Sequence, residues 1–244
     1  MFQKLVCLVV VTIALCCCLP AQDNTSSVKE VVGASWTINF TLDRPVLEPH
    51  HYLVSVDSLG HGSYSIAAEK TDDSAASDVH PDASAAPPEI VKFKWDAATA
   101  RHIFELARQA NYFHGDFDYR KHPVADTDRK TLAYNDSTHA GQTSYNWSEN
   151  PTITELTKIF TGVAATLDFG PRLQYLLAHD KLGLDQELGK MEEVASYGEL
   201  AELQVVAPLL QQIASDAGVM NIARERARRL LQHAGLPLSA SSQP

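Results

Sequence analysis

Between Asn111 and His122 the chain runs N-Y-F-H-G-D-F-D-Y-R-K-H, which places His114, Asp116, Asp118 and His122 within nine residues. Imidazole nitrogens and carboxylate oxygens are common ligands of zinc and manganese, and the same groups move protons in hydrolysis. His139, in the hairpin predicted to follow, could join them. One expectation is therefore a metal-dependent or hydrolytic site at these residues. Spacing supplies the other. Taken two by two, Phe113, Gly115, Phe117 and Tyr119 fall on one side, and His114, Asp116, Asp118, Arg120 and His122 on the other. That alternation predicts an extended segment laid over a core with its polar row in water. Burying each Phe would contribute about 1.5–3 kcal/mol, while Arg120 would compete with a cation bound to the polar row. The favoured expectation is an aromatic-anchored connector that binds no cofactor, with the metal or hydrolytic site as the alternative.

Other chemistries fit less well. Gly60-His61-Gly62-Ser63 lacks the spacing of a nucleophile elbow, and its glycines suit a hairpin turn. Neither G-x-G-x-x-G nor a P-loop signature occurs. Asp116-Phe117-Asp118 and Asp126-Thr127-Asp128 begin like calcium loops, but the next alternate residue is Arg120 or Lys130 and no glycine follows. Glycoside hydrolysis needs two carboxylates flanking a cleft, and the sequence selects no pair. N-x-[ST] triplets stand at Asn24, Asn39, Asn135 and Asn146; they accept glycans only in a eukaryotic secreted protein.

The elements that must hold these residues divide into two kinds. In the first half, Trp36, Ile38, Phe40 and Leu42 alternate with polar neighbours, the period of a half-buried strand. Strands over 52–57 and 63–68 flank the Gly60 turn, and another runs from Ile90 to Trp95. The tract 71–88, rich in Ala, Ser, Asp and Pro, has too little apolar surface to offset its ordering entropy and is expected to be mobile. Asp96 caps a predicted helix through Ala110, and strands over 130–134 and 142–147 form a second hairpin. Pro151 opens a helix. From Gly170 the pattern is wholly helical, with segments over 172–181, 184–194, 198–214 and 219–234. The expected fold class is thus α+β: a mainly antiparallel sheet with one or two packed helices over 22–169, an α-helical region over 170–235, and a disordered tail over 236–244.

Residues 1–21 have the form of a secretory signal peptide: Lys4, an apolar run from Leu5 to Leu19, then Pro20-Ala21. The expectation is an exported protein, periplasmic or extracellular, with lipid anchoring through Cys16, Cys17 or Cys18 as the rival. All four cysteines lie in this segment, so cleavage after Ala21 leaves a chain without thiol or disulfide chemistry. No later segment has the length and apolarity of a membrane span. The formal charge is −10, and losing Lys4 deepens it by one. That acidity disfavours nucleic-acid binding. The basic run Arg224 to Arg229 is expected to form helix-surface pairs with Glu225 and Asp216.

Two resemblances accompany these patterns. Ser55-Val56-Asp57-Ser58-Leu59-Gly60, Ala110-Asn111-Tyr112-Phe113 and the hairpin Thr131 to Trp147 resemble a class of uncharacterised exported bacterial α+β domains, over roughly residues 36–167. The class brings no known activity. Residues 207–231, with Pro208, Asp216, Ala227 and Leu231, look like a single HEAT-type helical pair. The function expected is a non-catalytic binding or interaction module, with a protein or cell-envelope partner received through the helical region.

Overall fold

Alternating apolar and polar side chains give each strand one face that can leave water, and one sheet collects those faces. The computed structural model describes residues 36–45, 51–66, 90–122, 124–125 and 127–238. Residues 1–21, expected to be a signal peptide, with all four cysteines, the 71–88 tract and residues 239–244 of the expected tail lie outside them. Among the described residues six strands, β1 (Thr37–Asp43), β2 (His51–Asp57), β3 (His61–Ile66), β4 (Ile90–Lys94), β5 (Arg129–Asn135) and β6 (Ala140–Tyr145), form one antiparallel sheet in the order β4-β3-β2-β1-β5-β6. Five helices accompany them: α1 (Ala97–Gln109), α2 (Pro151–His179), α3 (Leu184–Ser196), α4 (Ala207–Ser215) and α5 (Asn221–His233). The α+β class with an antiparallel sheet and C-terminal helices is the architecture observed. No helix of the described residues is long and apolar enough to cross a membrane.

Register places Phe40 opposite Val54 on one side and Leu132 on the other, in the middle of the sheet. Ile38, Phe40, Tyr52, Val54, Val56, Leu132, Tyr134 and Tyr145 are buried there beneath α1 and α2. The Phe160 ring of α2 stacks on Phe40 at 5.3 Å, and Trp95 meets Phe160 edge-on at 5.7 Å. The Trp95 indole N–H donates to the Ser55 carbonyl, 3.1 Å. Asp96 caps α1 as its sequence position predicts, accepting from the Ala98 and Thr99 N–H groups. The opposite face of the sheet carries small polar side chains, and the Ser55 and Ser63 hydroxyls bond there across β2 and β3 at 2.7 Å.

Helix α2 departs from the sequence reading. The sequence reading has a helix opened by Pro151 and a separate helical segment over 172–181, and Pro171 between them lacks the N–H that would bond the Leu167 carbonyl. The helix nevertheless runs unbroken to His179. Its first part buries Ile153, Leu156, Phe160 and Val163 under the sheet, and its last part buries Leu173 and Leu177 among the C-terminal helices. Burial on both sides of the proline outweighs the roughly 3 kcal/mol that an interior proline costs through its lost hydrogen bond and ring clash. The two groups of buried side chains thus divide between Leu167 and Phe169, inside one helix.

The second group joins Phe169, Leu188, Met191, Leu210, Ile213, Ala223, Ala227 and Leu231. The expected helix over 198–214 is shorter: Gly198 and Glu202 have positive φ, and α4 begins only at Ala207 with Pro208 in its first turn. The intervening segment bends back to the sheet core, where Ala201 and Val205 pack. Thr166 donates its hydroxyl to the Ala201 carbonyl at 2.6 Å. The Glu202 carboxylate reaches the Asp96 N–H at 2.6 Å and so fixes the start of α1. The basic run on α5 has partners beyond those expected: Arg226 pairs with Asp185 and Glu192, and Arg229 with Glu192, tying α5 to α3. The assigned tail also begins folded, for Leu236 donates to Leu231 and the Pro237 carbonyl accepts from Gln211.

Candidate functional site

The stretch from Asn111 to His122 is a connector, but not an extended one. It opens with three successive non-glycine residues in the left-handed region, Asn111 (φ 49°), Tyr112 (φ 53°) and Phe113 (φ 67°). Each such residue costs about 1–2 kcal/mol, least for Asn. Phe113 is completely buried, and Phe117 and Tyr119 are half-buried, so the aromatic row does anchor the segment. Its polar row holds the chain itself. Asp116 pairs with Arg120 at 2.8 Å, and the Asp118 carboxylate accepts the Asn146 N–H at 2.9 Å. Tyr119 donates its N–H to the Trp147 carbonyl at 2.8 Å. His114 and His122 are exposed, and His139 stacks on the Tyr112 ring at 4.2 Å. Among the described residues no three His, Cys, Asp or Glu side chains gather to hold a metal ion.

What the left-handed turn does is aim Tyr112. Its ring lies 4.8 Å from that of Tyr134 and is stacked on His139. The turn fits because β6 carries Gly141 beneath it: a Cβ there would stand 2.1 Å from the Tyr112 carbonyl oxygen. Tyr112, Tyr134 and His139, with Trp36 and Phe104, line a groove of about 670 Å³. Trp36 is 47% exposed, and its ring meets Phe104 edge-on at 6.3 Å. Lys94, Arg101 and Arg108 bring positive charge to the same groove.

The polar atoms of the groove are engaged with one another. Asp136 accepts from the Thr138 and His139 N–H groups and from the Thr138 and Tyr134 hydroxyls. Burial works against its charge, but these donors prevail and hold the carboxyl well below its ordinary range. Tyr134 is pushed up, by burial first and then by its bond to Asp136. Arg108 pairs with Glu105, and Arg101 donates to the Ala97 carbonyl.

A second cleft, of about 600 Å³, lies at the other end of the strands. Thr37 and Asn135 face each other at the groove end, and Asp43 and Arg129 at the cleft end. Leu42, Arg44 and Tyr52 form one wall, Lys130 and Tyr145 to Ser148 another, and α2 the third. Along α2 the residues lining it are Thr154, Thr157, Lys158, Thr161, Ala165 and Asp168, a stripe at helical spacing opposite Leu156, Phe160 and Val163. Asp168 accepts the Tyr64 hydroxyl at 2.5 Å. Burial pushes its carboxyl up, against the Tyr64 bond and the nearby Arg172 and Arg44 charges. Arg44 also lies over the Tyr52 ring, 5.7 Å from its centroid.

Neither concavity was named by the sequence, for different reasons. The groove gathers rings from residues 36 to 139 that no local spacing relates. The α2 stripe was partly legible: Thr154, Thr157 and Thr161 recur at helical spacing on the side away from Leu156, Phe160 and Val163. Asn146, one of the glycosylation triplets, uses its side-chain amide to hold the Ala125 carbonyl at 2.7 Å. The sequence matches no protein-family model, and no curated protein is significantly similar to it.

Proposed function

We propose that the chain is an exported, non-catalytic binding module whose partner is a protein segment carrying an apolar side chain beside acidic residues, received in the aromatic groove. One observation carries this reading: rings from six separated positions, Trp95 included, converge on one concavity, and a strained left-handed turn holds one of them there. Strain of this kind concentrates at binding sites, because a packed scaffold must sustain it. The volume suits a buried side chain and its neighbours.

Charge supports the rest. The chain is acidic overall, yet at this groove Lys94, Arg101 and Arg108 outnumber Glu105 and Asp136. The exposed Arg108–Glu105 pair contributes little to stability and can exchange its partner. Asp136 and Tyr134 already satisfy each other, which favours recognition over bond-making. In this reading the helical region is a brace rather than the docking surface, with Glu202 holding the first turn of α1 in place. Periplasmic or extracellular export supplies the compartment of the encounter.

Selection of a displayed random dodecapeptide library on the purified protein tests the proposal. Enriched peptides are expected to join Trp, Phe or Leu to Asp or Glu. Phe104→Ala should weaken them about tenfold or more, and Arg101→Glu with Arg108→Glu should turn the preference toward basic peptides. Enriched peptides without acidic residues, or equal binding to the Phe104 variant, would overturn it.

A further inference from the structure

The cleft at the opposite end of the sheet has a different chemistry. Its cations, Arg44, Lys130 and Lys158, are matched in number by Asp128, Asp168 and Glu199, and Lys130 is ion-paired with Asp128. No single-sign field therefore draws an ion into it. The α2 wall offers oxygen atoms. Thr157 donates its hydroxyl to the Ile153 carbonyl and Thr161 donates to the Thr157 carbonyl, so each keeps oxygen lone pairs for other donors. Tyr145 meets the Thr157 hydroxyl at 2.6 Å.

Two aromatic side chains on the cleft are largely uncovered, Trp147 at 47% and Tyr197 at 69% exposure. Trp147 is nonetheless fixed. Tyr119 packs edge-on against it at 4.6 Å and bonds its carbonyl through the backbone. A rigid, exposed ring beside a hydroxyl wall is amphipathic in the way a sugar is: one surface of a pyranose is C–H, and its rim is O–H.

We propose that this cleft is a binding site for a short neutral oligosaccharide, stacked on Trp147 and Tyr197 and donating its hydroxyls to the Thr157 and Thr161 side of α2. The volume falls within the roughly 300–1,000 Å³ of small-ligand sites. Balanced charge selects against phosphate and uronate ligands, and the fixed Trp147 ring lowers the ordering cost of stacking. Asp168 supports the assignment: a half-buried carboxylate beside Tyr64 is an acceptor retained at some expense of stability. The site is independent of the peptide groove, and either proposal can fail alone.

Titration calorimetry on the purified full chain decides the matter. The probes are di- to tetrasaccharides of glucose, xylose and N-acetylglucosamine, with inorganic phosphate and digalacturonate as charged counterparts. At least one neutral series is expected to bind with a Kd of roughly 10 µM–1 mM. Trp147→Ala should weaken it about tenfold or more, Trp147→Phe by no more than about threefold, and Phe104→Ala in the distant groove not at all. If Trp147→Ala lowers Tm enough to confuse the comparison, the exposed Tyr197→Ala serves in its place with a loss of about fivefold expected. Absence of heat from every neutral saccharide at 10 mM (about ten times the weakest expected Kd) overturns the proposal. So does tighter binding of a charged probe, or affinity unchanged in both aromatic variants.

Discussion

Replacing Gly141 by alanine adds one methyl group at the closest backbone contact of the aromatic groove. The new Cβ would lie 2.1 Å from the Tyr112 carbonyl oxygen and 3.1 Å from its carbon. Comfortable C···O contact begins near 3.3 Å, so the turn or the β6 edge must retreat by about 1 Å. The turn cannot yield locally, because Phe113 is fully buried and Tyr112 and Phe113 already sit in left-handed conformations. Overpacking of this kind costs about 1–3 kcal/mol. Displacing the Tyr112 ring from Tyr134 and His139 forfeits about 0.5–1.5 kcal/mol more. The total, about 1.5–4.5 kcal/mol, corresponds to a fall in Tm of roughly 3–18 °C for a chain of this size. Urea denaturation followed by circular dichroism and by tryptophan fluorescence should show a lower midpoint with an unchanged slope. Peptide binding in the groove should fall with it. A Gly141→Ala protein within about 0.5 kcal/mol of the parent would refute the claim that β6 pins the turn.

Three further outcomes follow from the geometry. Gly189→Ala, inside α3 where the new Cβ makes ordinary contact with the Arg226 guanidinium at 3.4 Å, should stabilise the protein by roughly 0.4–1 kcal/mol in the same urea assay. Glu202→Ala leaves the Asp96 N–H without its 2.6 Å acceptor and should cost about 1–3 kcal/mol, visible as earlier loss of amide protection in α1 than in α5. Asp168→Asn keeps an acceptor for Tyr64 but removes a carboxyl that burial pushes up. Because the folded chain holds that proton more tightly than the unfolded one, its stability is favoured at low pH and falls as pH rises through the folded pKa. The Asn variant should therefore melt higher than the parent at pH 7, with the advantage gone below about pH 4; a lower Tm at pH 7 would contradict the assigned cause.

Local spacing determined more of the fold than of the sites. Ile38, Phe40 and Leu42 bury every second residue and define a strand wherever it pairs. Asp96 and Pro151 start helices for reasons contained within a few residues, and all three features stand where the sequence puts them. The same period misdescribed the stretch from Asn111 to His122. Alternation correctly marked Phe113 and Phe117 as the anchored side, but says nothing of φ, and the left-handed turn exists only because Gly141, far along the chain, leaves room for it. The helix opened by Pro151 and the segment over 172–181 read as separate in sequence, yet α2 runs through both because two separate groups of side chains bury its two halves. The groove and the cleft belong wholly to tertiary structure. Periodicity records which side of an element leaves water, whereas a concavity depends on which elements fail to fill the space between them. The sheet register and the packing of Ala201 and Val205 against the first core decide that.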